Sequence, residues 1–256
     1  MRNFKKALLF LMAVTISVAT VFAAMRGQSR KGTTSNKKED ATPIQEGVMT
    51  ERQKQHSKLY QRSGGRNLRN IGKSLVIVIP PPFIEPDDEK TPPTIEELLQ
   101  RITCNADAVV VGTVTNKTSQ LTEDGSFVFT DYDMQVEEII KNTAQTSIQP
   151  SDNIVITRSG GAVQFNGKVI RAIDKSSQPL ETGSRYLLSL QRIASSDDYR
   201  TLNTESSFEL DQNHVRRLTT KHLPYPFPYE SDANSFLAHI RARANLCDSK
   251  SKGGEK

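Results

Sequence analysis

A short cationic, glycine-rich stretch, Arg158-Ser159-Gly160-Gly161, stands at the end of a predicted strand and could hold a ligand. Consecutive backbone N–H groups in such a turn form a concave site for an anion, and the neighbouring arginine adds a positive charge. We therefore predict ligand binding at Arg158, Ser159, Gly160 and Gly161. The alternative interpretation of the same residues is an ordinary hairpin loop.

A second candidate is the segment 223–229, in which prolines alternate with aromatic residues. In an extended conformation this segment could offer its rings to a sugar or a peptide, so Tyr225 and Phe227 join the predicted ligand-binding residues. The alternative is a crossing segment whose rings plug the end of the domain.

Catalytic motifs are missing from the sequence: it has no nucleophile elbow, phosphate-binding loop or zinc-protease helix. Asp131 and Asp133 lie two apart on one predicted strand, so their side chains face the same way. Such a pair could share a proton or bind a cation, or could simply face solvent. The histidines show no ligand spacing with the cysteines. We predict no catalytic residue, no metal site and no cofactor.

The N-terminus has the features of an export sequence. A basic start is followed by an apolar run and by small residues that would allow cleavage after Ala23, so 1–23 is predicted to be a signal peptide. The run is also long enough to remain as a membrane anchor. In the first case the chain is secreted, periplasmic or in the cell envelope; in the second it is membrane-anchored with its domain outside the cytoplasm. Two cysteines in an exported chain favour one disulfide, Cys104–Cys247.

Charge divides the remaining chain into two parts. Residues 26–73 carry twelve Lys/Arg and four Asp/Glu, a net charge of +8, whereas residues 74–256 carry nineteen and twenty-five, a net charge of −6. The polar composition predicts a disordered basic arm over 24–73, either a solvated tether or a contact with an anionic membrane or envelope surface. The compartment and the lack of interleaved aromatics exclude nucleic acid as a partner.

A proline-rich linker over 74–93 precedes the predicted domain, and a disordered tail over 249–256 follows it. Within the linker, the β-branched run 75–79 could dock on the domain as a short strand.

The predicted domain spans 94–248 and begins with a capping box, Thr94 and Glu97, that starts a short helix. Alternating apolar residues then predict five to seven antiparallel strands, and Asn166-Gly167 is the strongest turn motif between them. Ser231 or Asp232 is expected to cap a last helix. This pattern predicts a mainly β fold, a small barrel with flanking N- and C-terminal helices.

Three segments of this domain resemble the netrin-like module found in tissue inhibitors of metalloproteinases. They are the cysteine-led strand Cys104–Val110, the strand Tyr132–Lys141 and the glycine-turn strand Gly183–Leu188. The resemblance implies a five-stranded OB-like barrel, a bridge from Cys104 to Cys247, and binding of proteins or glycans. The zinc-chelating N-terminal cysteine of the inhibitors has no counterpart, because no cysteine precedes Cys104. Metalloproteinase inhibition therefore does not carry over.

Together these features predict a non-enzymatic, extracytoplasmic binding module for a protein or glycan ligand. OB barrels bind ligands across one sheet face and its adjoining loops, which would here include 115–125 and 158–161. The alternatives are a cell-envelope enzyme with a site assembled from scattered residues, or a structural spacer domain.

Overall fold

The computed structural model describes residues 42–43, 49–79, 94–143, 146, 148–220 and 226–252. Within these residues the protein is mainly β, as predicted, with eleven strands and three α-helices. The predicted signal peptide, the Pro-rich segment 80–93 and Tyr225 lie outside the described residues. None of the described helices is long and apolar enough to cross a membrane.

The helices are α1 (Glu51–Tyr60), α2 (Ile95–Cys104) and α3 (Ala233–Lys252). The strands are β1 (Thr42–Pro43), β2 (Leu75–Ile79), β3 (Ala108–Leu121), β4 (Val128–Asn142), β5 (Asn153–Ser159), β6 (Gly161–Phe165), β7 (Lys168–Asp174), β8 (Arg185–Arg192), β9 (Tyr199–Thr201), β10 (Ser207–Asp211) and β11 (His214–Arg217). A single 3-10 turn, Leu68–Asn70, follows α1.

The strands form two sheets. The main sheet has seven strands in the order β11-β10-β8-β3-β4-β5-β9, with an additional pairing between β8 and β9. The small sheet has the order β1-β6-β7-β2. The five-stranded barrel that the resemblance implies is therefore not confirmed by the strand count of this sheet. The hairpin β10–β11 extends the main sheet beyond β8, and the hairpin β6–β7 pairs with strands from the N-terminal part of the chain.

The long antiparallel hairpin β3–β4 runs through the middle of the main sheet. β3 is buried on both faces along its first half, which explains its continuous apolar run. Its register shifts at Gly112, as the glycine in mid-strand predicted, and a Cβ there would collide with the carbonyl oxygen of Gln135. The shift lets the long strand bend over the core.

Helices α2 and α3 cover one face of β3. The capping box at Thr94 and Glu97 is confirmed, since each side chain bonds the other residue's backbone N–H. At the far end of α2, Lys141 donates to the backbone carbonyls of Thr103 and Cys104, where a positive charge complements the helix dipole. Asp232 accepts the Ser235 N–H in front of α3, which confirms the second predicted cap.

The hairpin β6–β7 turns at Asn166-Gly167, as the sequence predicted. Both residues have a positive φ, 48° and 73°, and Phe165 pairs with Lys168 across the turn. This two-residue connection needs left-handed backbone, which asparagine and glycine tolerate best.

The N-terminal segment corrects the predicted domain boundary. Residues 49–79 are not a disordered arm and linker: α1 packs on β4, and β2 pairs in parallel with β7. Composition misled the prediction because the segment is rich in polar residues, and its few apolar ones, among them Leu68 and Ile71, pack into one core cluster with the small sheet. The start of α1 is fixed by a second capping box, Thr50 with Gln53, and the Leu68 N–H donates to the Gly125 carbonyl. The docking of 75–79 as a short strand is confirmed.

The disulfide Cys104–Cys247 is confirmed, with the two Cα atoms 5.3 Å apart. It joins Cys104, the last residue of α2, to Cys247 near the end of α3, and so links the beginning of the predicted domain to its end.

Replacing Cys104 or Cys247 by serine should lower the free energy of unfolding substantially. The bridge closes a loop with a sequence separation of 143, and in the chain-entropy model such a loop contributes about 5 kcal/mol, often less in practice. Urea unfolding of the two single variants and the double variant is the measurement. The double variant should cost no more than either single one, since each removes the same bond. Additive losses would contradict this account.

Candidate functional site

The four residues Arg158, Ser159, Gly160 and Gly161 line one pocket of about 130 Å³, where the chain passes from β5 in the main sheet to β6 in the small sheet. The other lining residues are Tyr132, Ala172, Ile173, Asp174, Ser177, Gln178 and Pro179. The sequence prediction thus named four residues that the fold brings together. The remainder come from β4, β7 and the segment after β7.

Arg158 is the cation of this pocket. Its side chain is buried, with only 9% of the residue exposed. Nη1 donates to the carbonyl oxygen of Gln178 at 3.1 Å, and Nη2 donates to the hydroxyl of Ser177. Among the described residues no carboxylate lies within ion-pair distance of this guanidinium. A buried charge of this kind normally has a counter-charge.

The glycines shape the wall of the pocket rather than form the predicted nest of N–H groups. Gly160 and Gly161 have φ values of 94° and 129°, which L side chains rarely adopt. The Gly160 N–H already donates to the Val128 carbonyl at 3.0 Å, and the Gly160 carbonyl accepts from the Thr130 hydroxyl. The Gly160 N–H is therefore not available to a ligand, and Arg158 is the group in this loop that could bind an anion.

Asp174 lines the same pocket but is held by serines. One carboxylate oxygen accepts from the Ser176 N–H at 2.8 Å and from the Ser176 hydroxyl, and the other accepts from the Ser159 hydroxyl at 3.2 Å. Because a carboxylate has about four acceptor positions, one remains for a ligand donor. The pocket therefore offers a positive group and a hydrogen-bond acceptor.

Phe227 does not serve the predicted ligand site. Its ring packs among Phe208, Phe236 and Tyr229, with the guanidinium of Arg217 5.5 Å from its centre. Only 7% of the residue is exposed. The prediction that Phe227 presents its ring to a ligand is wrong, because α2 and α3 need aromatic area to cover the main sheet. The alternative interpretation, a crossing segment that fills the core, fits this residue.

The predicted loop 115–125 is also changed by the structure. Most of it belongs to β3, and the turn after β3 is covered by the N-terminal segment. Ser57 accepts the Glu123 N–H at 2.7 Å, and Arg69 donates to the carbonyls of Thr122 and Glu123. A ligand cannot use these backbone groups without displacing the segment.

The sequence missed a buried charged cluster centred on His56 of α1. His56 is fully buried, with Nδ1 2.9 Å from Asp131 and Nε2 3.1 Å from Asp198. The Nε2 contact is electrostatic rather than a well-aligned hydrogen bond. Arg52 also reaches Asp198, and Gln120 donates to Asp131. The expectation that Asp131 faces solvent is therefore wrong, because α1 covers that face of β4.

Burial alone would lower the pKa of His56, but the carboxylates of Asp131 and Asp198 outweigh it and raise the pKa to about 9. The imidazole is thus positively charged at neutral pH. Tyr60, on the same helix, stacks on Phe129, and burial raises its pKa to about 12. The only sequence feature that hints at the cluster is a histidine in a segment otherwise full of Lys and Arg.

Within the described ranges, no three His, Cys, Asp or Glu side chains are grouped so that they could hold a metal ion. No family model matches the sequence, and no curated protein matches it either.

The charged state of His56 predicts a pH dependence of stability. The folded protein binds this proton more tightly than an unfolded chain, whose histidine pKa is about 6.5. The stabilisation, roughly 3 kcal/mol, is complete below pH 6.5 and is lost as pH rises through about 9. Urea unfolding across this range should show the loss.

In the His56→Gln variant this loss should be absent, since no proton leaves the site. His239→Gln is the matched control: burial lowers the pKa of His239, so that ring is neutral throughout the same range. A His56→Gln variant that loses stability between these pH values as steeply as the parent chain would exclude His56 as the cause.

Proposed function

We propose that this protein is a non-enzymatic binding module outside the cytoplasm, with a protein or glycan ligand. The disulfide supports the compartment, since such bonds persist in oxidising environments. The apolar N-terminal run of the sequence, which has the features of a signal peptide, also supports export.

We further propose that the core of the domain is an OB-like barrel of the netrin type. The support is a circuit of strand pairings: β3 pairs with β4, β4 with β5, β5 with β9, β9 with β8, and β8 again with β3. Five strands that return to their starting point are what a small closed barrel requires. The bridge between Cys104 and Cys247, which the netrin resemblance implies, adds support.

The observation that carries the binding proposal is the Arg158 pocket. Within the described part of the chain, this buried guanidinium donates to a carbonyl and a hydroxyl, and no carboxylate lies within ion-pair distance to offset its desolvation. A ligand that brings an anionic group would supply that counter-charge. The pocket is smaller than the usual 300–1,000 Å³ of a small-molecule site. A terminal group of a larger ligand therefore fits it better than a whole metabolite.

The position of α1 explains why the ligand site would lie here. An OB barrel commonly uses one sheet face and the loops beside it, but α1 covers β4 through Tyr60 and His56. The junction of β5 and β6 is left as a concave region with polar side chains.

His56 does not favour the rival hypothesis of an enzyme. A buried group with a perturbed pKa is a common mark of a catalytic site. However, His56 is fully buried and both ring nitrogens face aspartates. The ring is therefore enclosed between two carboxylates without access to a substrate, and its role is to fasten α1.

The basic arm remains a proposed contact for an anionic membrane or envelope surface. Residues 26–48 carry five basic and three acidic residues, a net charge of +2, and residues 49–73 carry seven and one, a net charge of +6. Most of the charge therefore belongs to the segment that docks on the domain. We therefore propose that an anionic surface would contact mainly residues 49–73, and residues 26–48 to a smaller extent.

Binding of the full exported chain to arrays of glycans and of extracellular peptides tests the proposal. Arg158→Gln should weaken the ligands found at least tenfold, which corresponds to about 1.4 kcal/mol. Arg200→Gln is the matched control, because Arg200 is exposed on β9 and its guanidinium donates to Gln191 rather than into the pocket. Both variants should unfold at the parental temperature. If the array ligands bind Arg158→Gln as tightly as Arg200→Gln, the ligand site does not include Arg158.

A further inference from the structure

We infer that the Arg158 pocket binds the terminal residue of a glycan when that residue is a uronic acid, a sugar whose ring carries a carboxylate beside free hydroxyl groups. This inference rests on the proposed binding function and names the ligand class of the same site. The carboxylate would meet Arg158, and the hydroxyl groups beside it would meet Asp174 and Gln178.

The charge of Arg158 selects an anion. Of the five N–H donors of a guanidinium, two are used by the Gln178 carbonyl and the Ser177 hydroxyl. The remaining donors can bind both oxygens of one planar carboxylate, the geometry that arginine favours.

Asp174 selects a hydrogen-bond donor on the same ligand. Its side chain lies on the pocket side of β7, as that of Ala172 does, because residues two apart in a strand share a face. Its carboxylate accepts three hydrogen bonds from Ser159 and Ser176, which leaves one acceptor position. Its negative charge also repels a dianion more strongly than a monoanion. A monoanion with a neutral donor beside it therefore fits the pocket better than a phosphate.

Gln178 selects a hydrogen-bond acceptor. It lines the pocket, and its amide oxygen accepts from Arg216, so its amide N–H groups remain as donors. A hydroxyl group both donates and accepts, so two neighbouring hydroxyls can serve Asp174 and Gln178 together. The end of a peptide has one N–H beside its carboxylate, which can serve Asp174 but not Gln178. A sugar acid therefore satisfies the pocket more fully than a peptide terminus.

The walls of the pocket do not suit a hydrocarbon chain. The ring of Tyr132 packs in the core and the residue is 3% exposed. Ile173 lies between Ala172 and Asp174, so its side chain points to the opposite face of the small sheet. Pro179 is exposed at the pocket, and its five-membered ring can cover the C–H face of one sugar ring but not a fatty acid.

The volume of the pocket limits how much of the sugar enters. Its 130 Å³ corresponds to about four water molecules. A carboxylate and two neighbouring hydroxyls bring four oxygen atoms, so this edge of a uronic acid ring fills the pocket and the rest of the glycan lies outside. A residue inside a glycan chain loses a further hydroxyl to its linkage, whereas the non-reducing terminal residue keeps its own. The terminal residue is therefore the one that fits.

NMR titration of the full exported chain with three small probes tests the inference. Methyl β-glucuronide carries the carboxylate and the hydroxyls, methyl β-glucoside lacks the carboxylate, and cyclohexanecarboxylate lacks the hydroxyls. We expect the glucuronide to bind at least tenfold more tightly than either of the others. A glucuronide that does not bind, or that binds no more tightly than one of the other two, would overturn the inference, because the pocket would not recognise the combination.

Variants separate the two contributions. Arg158→Gln should remove the preference for the glucuronide over the glucoside, while Arg158→Lys, which keeps the charge and guards against misfolding, should retain part of it. Asp174→Asn should weaken both sugars but not cyclohexanecarboxylate, because only the sugars donate to this carboxylate. Arg200→Gln should change none of the three.

Two results with these variants would contradict the inference. A preference for the glucuronide that survives Arg158→Gln would exclude this pocket as its site. Unchanged binding of both sugars to Asp174→Asn would exclude the hydroxyl contact and with it the selection of a sugar. Each variant should unfold at the parental temperature.

Further probes distinguish the competing ligands. N-acetylalanine that binds more tightly than the glucuronide would replace the sugar acid by the end of a peptide. Tighter binding of glucose 6-phosphate or glucose 6-sulfate would replace the carboxylate by a phosphate or a sulfate. Any of these results would overturn the assignment to a uronic acid.

The titration experiment and the array experiment can fail separately. If the glucuronide does not bind but an array ligand depends on Arg158, the ligand class is wrong and the proposed function stands. If no ligand in either experiment is sensitive to Arg158→Gln, the proposed function fails as well.

Discussion

The length of the hairpin β3–β4 is the constraint on which the rest of the structure depends. Its strands contain 14 and 15 residues, but β8 pairs only with the first part of β3, from Ala108 to Thr113. The distal part of the hairpin would expose both of its faces if nothing else covered it. The small sheet packs its apolar residues against one face, including Leu121 and Val128. The helix α1 covers the other face through Phe129 and Asp131.

The two coverings use different physics, and this difference decides what a sequence can reveal. The small sheet buries β-branched residues, whose runs predict strands directly. The helix α1 instead docks by placing the charged ring of His56 between Asp131 and Asp198. A buried ion cluster is costly to desolvate but specific in its geometry. Composition cannot anticipate it, because each partner is an ordinary polar residue until the fold brings the three together.

Local features of the fold could be predicted from the sequence because they do not depend on distant partners. The caps at Thr94 and Asp232 and the turn at Asn166-Gly167 are decided within a few residues. Alternation along β4 gave its core face, with Tyr132, Met134 and Val136 buried. The number of strands in the main sheet depends instead on long-range partners. Nothing local to β9 states that it pairs with both β5 and β8.

The candidate site lies between these cases. Residue types alone drew attention to Arg158 and its glycines, but one donor of the predicted nest, the Gly160 N–H, already bonds the Val128 carbonyl. The glycines serve the crossing from one sheet to the other, and this crossing exists because the small sheet must cover the distal hairpin. Arg158 is buried at that crossing, where it donates to a carbonyl and a hydroxyl and where no carboxylate of the described residues comes within ion-pair distance of it. The candidate pocket is thus a consequence of covering a hairpin that is longer than its neighbours.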